Sequence, residues 1–251
     1  MRSRRLEIAV TSATGSAIAV RNGADRVELC TGLELGGLTP SLGLVEQAMA
    51  TGAEIHALIR CRPGGFVYDA EELATMRRDV QLLVRSGVAG VVIGALLDDG
   101  ALDRDATRAL SDSAREGSDD VQVTFHRAVD RSADPIRLVG TLAGMGIDRI
   151  LTSGAAPAAQ EGTDVLRRMA DVRGAVEIMA GGGLAPESIG AVVAAGATSV
   201  HLSAKKAVLE DGMAGGSAVP LGTADPGASH FVTDADTVRR ARSALDALET
   251  E

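Results

Sequence analysis

The chain has 251 residues, of which 45% are hydrophobic and only 2% aromatic, and its formal net charge at pH 7 is −9. No cluster of Lys and Arg is dense enough to bind a phosphate backbone, so the sequence argues against a nucleic-acid partner. No run of about 18 apolar residues occurs, which argues against a membrane span and predicts a cytoplasmic protein. Two cysteines in a chain of this length do not make a disulfide framework and are expected to be reduced.

Short aliphatic runs alternate with longer amphipathic stretches from one end of the chain to the other, as expected for strands followed by helices. The predicted strands are Leu6–Val10, Arg26–Cys30, Glu54–Arg60, Gly90–Leu96, Val121–Arg127, Arg149–Ser153, Val176–Ala180 and Ser199–Ser203. Most runs lead into a helical pattern with a recognisable boundary. Asp134-Pro135 is an N-cap with proline at the first helical position, and Gly196 ends a helix that begins near Pro186.

This alternation predicts one domain over residues 1–251, a closed (β/α)8 TIM barrel, because no residues are left for a second domain. An open, doubly wound sheet is the alternative. One segment does not follow the alternation of strands and helices. Residues 205–229 are rich in Gly, Ala, Pro and Ser without a clear period, which predicts a loosely ordered loop after the last strand.

Barrel strands send alternate side chains inward, and the parity of the aliphatic residues places several polar groups there. Inward positions include Glu7, Glu28, Cys30, His56, Arg60, His126, His201 and Ser203. Most of these residues come late in their strands, where the reacting groups of such barrels lie. Glu7 and His56 come early and are predicted to be structural. Because buried charges are costly unless paired, a purely structural network of ion pairs is the alternative.

Two glycine-containing turns are predicted to bind an anion. They comprise Thr152, Ser153 and Gly154 after the sixth strand and Gly181, Gly182 and Gly183 after the seventh. Glycine lets backbone N–H groups approach a ligand closely, and the helix that begins near Pro186 would add a favourable dipole. Turns that need glycine only for their geometry are the alternative.

Three arginines at strand ends, Arg60, Arg62 and Arg127, are predicted to add to this anion site. The guanidinium group is a planar fork that suits a carboxylate or a phosphate. Salt bridges from these arginines to Glu28 or Asp130 are the alternative.

The segment Gly23–Cys30, followed by Gly36–Gly43, resembles the signature of the CutC family. Later segments agree with it in order, namely Ile59–Arg62, Val123–Ala128, Arg149–Gly154 and Met179–Gly183, so that the resemblance runs from Glu7 to Ala204. It implies a TIM-barrel protein associated with copper homeostasis that forms homodimers or higher homo-oligomers. The family has no agreed reaction.

Copper(I) prefers thiolate, thioether and imidazole ligands, and Cys30 is the candidate ligand because it faces inward at the end of its strand. Cys61 has the parity opposite to Arg60 and is expected to point away. The alternative for Cys30 is a small buried apolar side chain.

A second hypothesis is an acid–base enzyme that acts on a small phosphorylated or otherwise anionic metabolite. His126 would be the acid or base and Glu28 its partner, while Arg60 and Arg127 would clamp the anion. A third hypothesis is a barrel that binds a small anion without turnover. The sequence does not separate the second from the third.

Overall fold

A computed structural model describes residues 4–118, 120–209 and 229–249. Its barrel strands are β1 (Arg5–Val10), β2 (Arg26–Leu29), β3 (Ile55–Leu58), β4 (Gly90–Ile93), β5 (Gln122–Phe125), β6 (Arg149–Thr152), β7 (Glu177–Gly181) and β8 (Ser199–Leu202). They form a closed barrel in chain order, with β8 paired in parallel to β1. The predicted (β/α)8 TIM barrel is confirmed, and the open sheet is wrong.

The helices around the barrel are α1 (Ala13–Arg21), α2 (Leu42–Met49), α3 (Ala70–Arg85), α4 (Arg104–Arg115), α5 (Pro135–Leu142), α6 (Thr163–Val172), α7 (Ile189–Ala194) and α8 (Ala235–Ala247). Side-chain caps begin several of them, and Asp134 accepts from the N–H of Arg137 at the start of α5. The helix predicted near Pro186 begins instead as a 3-10 turn, Pro186–Ser188, ahead of the short α7. Within the described ranges no helix has both the length and the apolar character to cross a membrane.

Side chains on the outer face of the strands build the main core between the sheet and the helices. Ile8, Val27 and Val123 are fully buried there, as the period of two along each strand predicts. The opposite parity leaves a small apolar cluster on the inner face, formed by Cys30, Leu58 and Val92. The rest of the interior carries polar groups together with a few apolar side chains such as Leu151 and Met179.

The segment predicted to be a loosely ordered loop has ordered ends. Lys205–Leu209 (β9) and Ser229–Thr233 (β10) pair as antiparallel strands. The ammonium nitrogen of Lys205 lies 4.3 Å from the centre of the Phe231 ring, a cation–π contact across the pair. Residues 210–228 lie outside the described residues, so the prediction is corrected for the two ends only.

Candidate functional site

A layer of ion pairs closes the lower part of the barrel interior. Arg26 is fully buried, and its Nε donates to Oε2 of Glu7 at 2.5 Å while its Nη2 lies 3.7 Å from Oε1 of Glu177. Arg149 donates to Oε2 of Glu177 at 2.7 Å. Arg26 and Arg149 therefore each have a carboxylate partner, which is the condition under which buried charge is tolerated.

Above this layer a cavity of about 230 Å³ opens at the carboxyl ends of the strands. Its polar lining is formed by Glu28, Arg60, His126, Arg127, His201 and Ser203, and its apolar lining by Leu33, Leu58, Phe66, Leu151, Leu184 and Leu202. The structure thus brings together Glu28, Arg60, His126, His201 and Ser203, which the strand parity singled out, whereas Cys30 lies outside the lining. A cavity at this end of the barrel is where the ligands of this fold bind.

Glu28 and His201 face each other in the cavity. Nε2 of His201 lies 3.9 Å from Oε2 of Glu28, and Nδ1 of His201 lies 2.7 Å from Oε1 of Glu7. Glu28 accepts no hydrogen bond from any described residue, although its side chain is only 9% exposed. A carboxylate in such a place lacks the donors that normally stabilise its charge.

The charges around this pair set its protonation. Burial, reinforced by the negative charge of Glu7 and opposed by His201, raises the pKa of Glu28 to about 7. Burial disfavours the charged form of His201, but Glu28 and Glu7 outweigh it and raise the pKa of His201. Burial likewise works against the charge of Glu7, but Arg26 and His201 hold the pKa of Glu7 well below its ordinary value. The pKa values of Glu28 and His201 are therefore coupled, because each group is a charged neighbour of the other.

His126 lies in the same cavity but in a different state. Its Nδ1 accepts from the N–H of Ala128 at 3.2 Å, which assigns the ring proton to Nε2. Burial, and then the charge of Arg60, lower the pKa of His126 to about 3. The imidazole is therefore neutral at physiological pH and suits a hydrogen-bonding role. The partner of Glu28 in the structure is His201, whereas the sequence suggested His126.

Two residues that contact His126, Gly94 and Phe66, were not predicted from the sequence as part of the site. A Cβ atom on Gly94 would overlap the ring of His126, so this glycine makes room for the imidazole. The ring of Phe66 lies 4.8 Å from the ring of His126, centre to centre. A glycine at the end of an aliphatic strand was the available signal, because it often marks a close approach.

Arg60 is a buried cation that joins two loops. Its Nη1 donates to the carbonyls of Leu35 and Gly37 at 3.0 and 2.9 Å, and its Nη2 donates to the carbonyl of Gly64 at 2.8 Å. Its guanidinium carbon lies 5.3 Å from the centre of the Phe66 ring. In the part of the chain that the structure describes, no carboxylate lies within ion-pair distance of Arg60.

Arg62 lies outside the cavity. Its guanidinium group forms an ion pair with Glu72 and lies 5.1 Å from the centre of the Tyr68 ring. Glu72 also caps the start of α3, so Arg62 fixes the loop that follows β3 to that helix. The expected place of Arg62 in the ligand site is therefore corrected.

The turn at Thr152, Ser153 and Gly154 is occupied by a carboxylate of the chain itself. Asp130 accepts from the hydroxyl of Thr152 at 2.6 Å and from the N–H groups of Ser153 and Ala155 at 3.0 and 3.1 Å. The N–H of Gly154 donates to the hydroxyl of Thr152. The donors expected to bind an external anion thus bind Asp130, which corrects the place of this turn in the site.

The glycines after β7 have a steric role as well as a place at the cavity. Gly182 and Gly183 line the cavity and have φ values of 98° and 62°. A Cβ atom on Gly182 would lie 2.6 Å from the guanidinium carbon of Arg127. Gly181 is buried beneath them, where a Cβ atom would lie 2.7 Å from a methyl carbon of Leu151. Glycine is needed here to let Arg127 lie against the backbone.

The two cysteines do not form a common thiol site. Cys30 is fully buried in the inner apolar cluster, where burial raises the pKa of its thiol well above the ordinary value. Cys61 is partly buried and packs against the outer core. The group of metal-ligating atoms that does converge comprises Glu7, Glu28 and His201, whose donor atoms lie within 4.8 Å of one another. The early position of Glu7 in its strand predicted a structural role, and this convergence was not predicted from the sequence.

Comparison with known proteins gives a consistent result. The model of the CutC family matches residues 4–206, which include all of the barrel strands. A family protein CutC of Rhizobium meliloti is 40% identical over 245 residues, covering 96% of each chain. One of Xanthomonas campestris pv. campestris is 44% identical over 206 residues, covering 80% of this chain and 83% of the relative.

A solved structure is also similar. CutC of Streptococcus agalactiae, named as a candidate copper homeostasis protein, is 26% identical and superimposes with a TM-score of 0.72. The match covers 80% of this chain and 98% of that chain.

Proposed function

The chain belongs to the CutC family, and we propose that it is an acid–base enzyme for a small anionic metabolite bound in the cavity at the carboxyl ends of the strands. The observation that carries the proposal is Glu28, a buried carboxylate without a hydrogen-bond donor among the described residues, 3.9 Å from His201. A ligand that protonates this carboxylate or donates a hydrogen bond to it would remove the cost of leaving it unsatisfied.

The chemistry follows from the protonation of the pair. Glu28, with a pKa of about 7, accepts a proton from the bound molecule, and protonated His201 returns a proton to it. Proton transfer is most efficient when the pKa of the group lies near the working pH. Glu7 holds Nδ1 of His201, so that Nε2 faces Glu28 throughout. His126, held neutral, offers only its Nε2 proton as a hydrogen-bond donor.

The charge of the cavity favours an anionic molecule. Arg60 and Arg127 both line the cavity, and Arg60 has no carboxylate partner within the described ranges. Ser203, Gly182 and Gly183 add polar groups to the lining. A small anion would supply the negatively charged partner that Arg60 lacks.

Proton exchange tests the proposal. Phosphorylated sugars are incubated with the protein in deuterated water, and the loss of carbon-bound proton signals is followed by NMR. We expect exchange with the unmodified protein, a decrease of about 10²–10⁴-fold in Glu28→Gln, and no change in Glu34→Gln, a rim carboxylate outside the cavity lining. Binding without exchange would support the non-catalytic anion-binding barrel, and neither binding nor exchange would contradict both readings.

Copper is the second candidate ligand. The family resemblance and the name of the Streptococcus agalactiae relative both point to copper homeostasis. The buried thiol of Cys30 does not fit a copper(I) site that opens on the cavity. Glu28 and His201 offer oxygen and nitrogen donors, which suit copper(II), and Glu7 would orient the imidazole.

Titration calorimetry with copper(II) and copper(I) tests this candidate. We expect copper(II) binding to be lost in His201→Gln and retained in Cys30→Ser. Loss of copper binding in Cys30→Ser, with binding retained in His201→Gln, would instead support Cys30 as the copper ligand. The homo-oligomeric assembly implied by the family stays a prediction, which sedimentation velocity of the same samples tests.

A further inference from the structure

We infer that Arg127 recognises a terminal phosphate group of the ligand and that Asp130 is the positioning residue that holds Arg127 at the cavity. The inference rests on the proposed anionic ligand and names its chemical class. Three observations carry it, namely the anchoring of Asp130, the orientation of Arg127 and the glycines beside it.

Asp130 is fixed from behind by one turn. Both of its carboxylate oxygens accept hydrogen bonds from Ser153, and the hydroxyl of Thr152 and the N–H of Ala155 add two more. Ala155 has a φ of 58°, a conformation that L-residues seldom adopt and that persists only where the surroundings impose it. The side chain of Asp130 is 6% exposed, so the carboxylate is a rigid internal anchor.

Asp130 and Ser153 occupy two of the three guanidinium nitrogens of Arg127. Nε donates to Oδ2 of Asp130 at 2.8 Å, and Nη2 donates to the hydroxyl of Ser153 at 2.9 Å. The third nitrogen, Nη1, makes no hydrogen bond to a described residue. The side chain of Arg127 is 42% exposed and lines the cavity, so its remaining donors are available to a ligand.

The glycines after β7 complete the site. A Cβ atom on Gly182 would lie 2.7 Å from Nη1 of Arg127, so the guanidinium group rests directly on this backbone. Gly182 and Gly183 have positive φ values, and their N–H groups donate to no described residue. Successive free N–H groups beside an arginine suit the several oxygens of a phosphate.

This arrangement orients the ligand. Arg127 and the glycine turn follow β5 and β7, whereas Glu28 and His201 belong to β2 and β8. Gly181 is the register partner of His201 across β7 and β8, so a phosphate bound at Arg127 and the glycine turn would lie beside the Glu28–His201 pair.

Calorimetric titration of the full chain with inorganic phosphate tests the inference. A parallel titration with acetate shows whether a carboxylate binds equally well. We expect phosphate binding in the millimolar range or tighter, at least tenfold weaker acetate binding, and at least tenfold weaker phosphate binding in Arg127→Met. The matched control is Arg62→Met, another rim arginine that lies outside the cavity and should leave the affinity unchanged. Unchanged affinity in Arg127→Met, acetate binding as tight as phosphate, or no phosphate binding at all would each overturn the inference.

A double-mutant cycle tests the role of Asp130. Asp130→Asn should weaken phosphate binding in the unmodified protein and have no further effect in the Arg127→Met background, because it acts through Arg127. Equal losses in both backgrounds would make Asp130 merely structural. If Asp130→Asn does not fold, as judged by circular dichroism, Gly182→Ala replaces it, since the added methyl group displaces the same guanidinium.

The two proposals fail separately. Glu28→Gln should bind phosphate as the unmodified protein does even though its proton exchange is about 10²–10⁴-fold slower. Phosphate binding without proton exchange in the unmodified protein would support the phosphate site at Arg127 and contradict the proposed enzymatic activity.

Discussion

Nδ1 of His201 and Oε1 of Glu7 lie 2.7 Å apart inside the barrel, and this contact joins the ion-pair layer to the cavity. The other oxygen of Glu7 accepts from Arg26. One carboxylate therefore stabilises a buried cation below it and orients the imidazole above it. Stability and site chemistry are coupled through Glu7.

Replacing Glu7 by Gln should lower the free energy of unfolding by about 3–5 kcal/mol, because it leaves the buried Arg26 without its main partner. Urea denaturation at pH 7 measures this loss. The control is Glu187→Gln, which removes the partner of Arg240 in an exposed ion pair and should cost about 0–1 kcal/mol. Equal losses in the two variants would contradict the assigned role of Glu7.

Replacing Glu28 by Gln should stabilise the protein at alkaline pH. The pKa of Glu28 is raised from 4.5 to about 7, so between these values the folded state binds more protons than the unfolded state and stability falls as the pH rises. The side-chain amide in the Glu28→Gln variant does not ionise, so the variant does not lose this stability as the pH rises. We expect a gain on the order of 1–3 kcal/mol at pH 8 that shrinks towards zero near pH 4.

Denaturation of both proteins across this pH range measures the difference. A Glu28→Gln variant that is less stable than the unmodified protein at pH 8 would show that the carboxylate has a stabilising partner there.

Replacing Gly94 by Ala should displace the ring of His126, since the added methyl group overlaps it. The expected cost is about 1–3 kcal/mol, the usual range for overpacking a buried site. Gly43 is the control, because it lies in the first turn of α2 with no atom within 4 Å of an added Cβ. Gly43→Ala should be neutral or stabilise by up to about 1 kcal/mol. The melting temperatures of the two variants should therefore move apart, and a parallel shift would contradict the packing assigned to Gly94.

The two cysteines should differ in reactivity towards Ellman's reagent. Cys30 is buried and the pKa of its thiol is raised by that burial, so it should react only after denaturation, whereas the partly buried Cys61 should react in the folded protein. Cys61→Ser should remove the reaction of the folded state. A fast-reacting Cys30 in that variant would make its thiol accessible and revive the copper(I) hypothesis.

The barrel and its polar interior were predictable because strand geometry is local. Alternation of aliphatic runs and helical patterns determines the fold class, and the period of two determines which side chains face inward. That rule placed Glu28, Arg60, His126 and His201 on the inner face, and all four line one cavity.

The pairing of these side chains was not predictable, because it depends on the register of the closed barrel. His201 meets Glu7 only because β8 pairs with β1, from opposite ends of the chain. The partner of the turn at Thr152 and Ser153 was likewise not predictable from the sequence. Its donors bind Asp130, a side chain from the loop after the preceding strand, and nothing in the glycine pattern reveals that partner.

Two of the ion pairs beneath the cavity each lie within one half of the chain. Glu7 and Arg26 belong to the first two strands, and Arg149 pairs with Glu177 within the last four. A chain cut between α4 and β5 would give two fragments that each keep one of these pairs, whereas the Arg26–Glu177 and Glu7–His201 contacts would join the fragments. Only the complemented barrel would restore these contacts and contain the Glu28–His201 pair, so proton exchange would report the association of the halves.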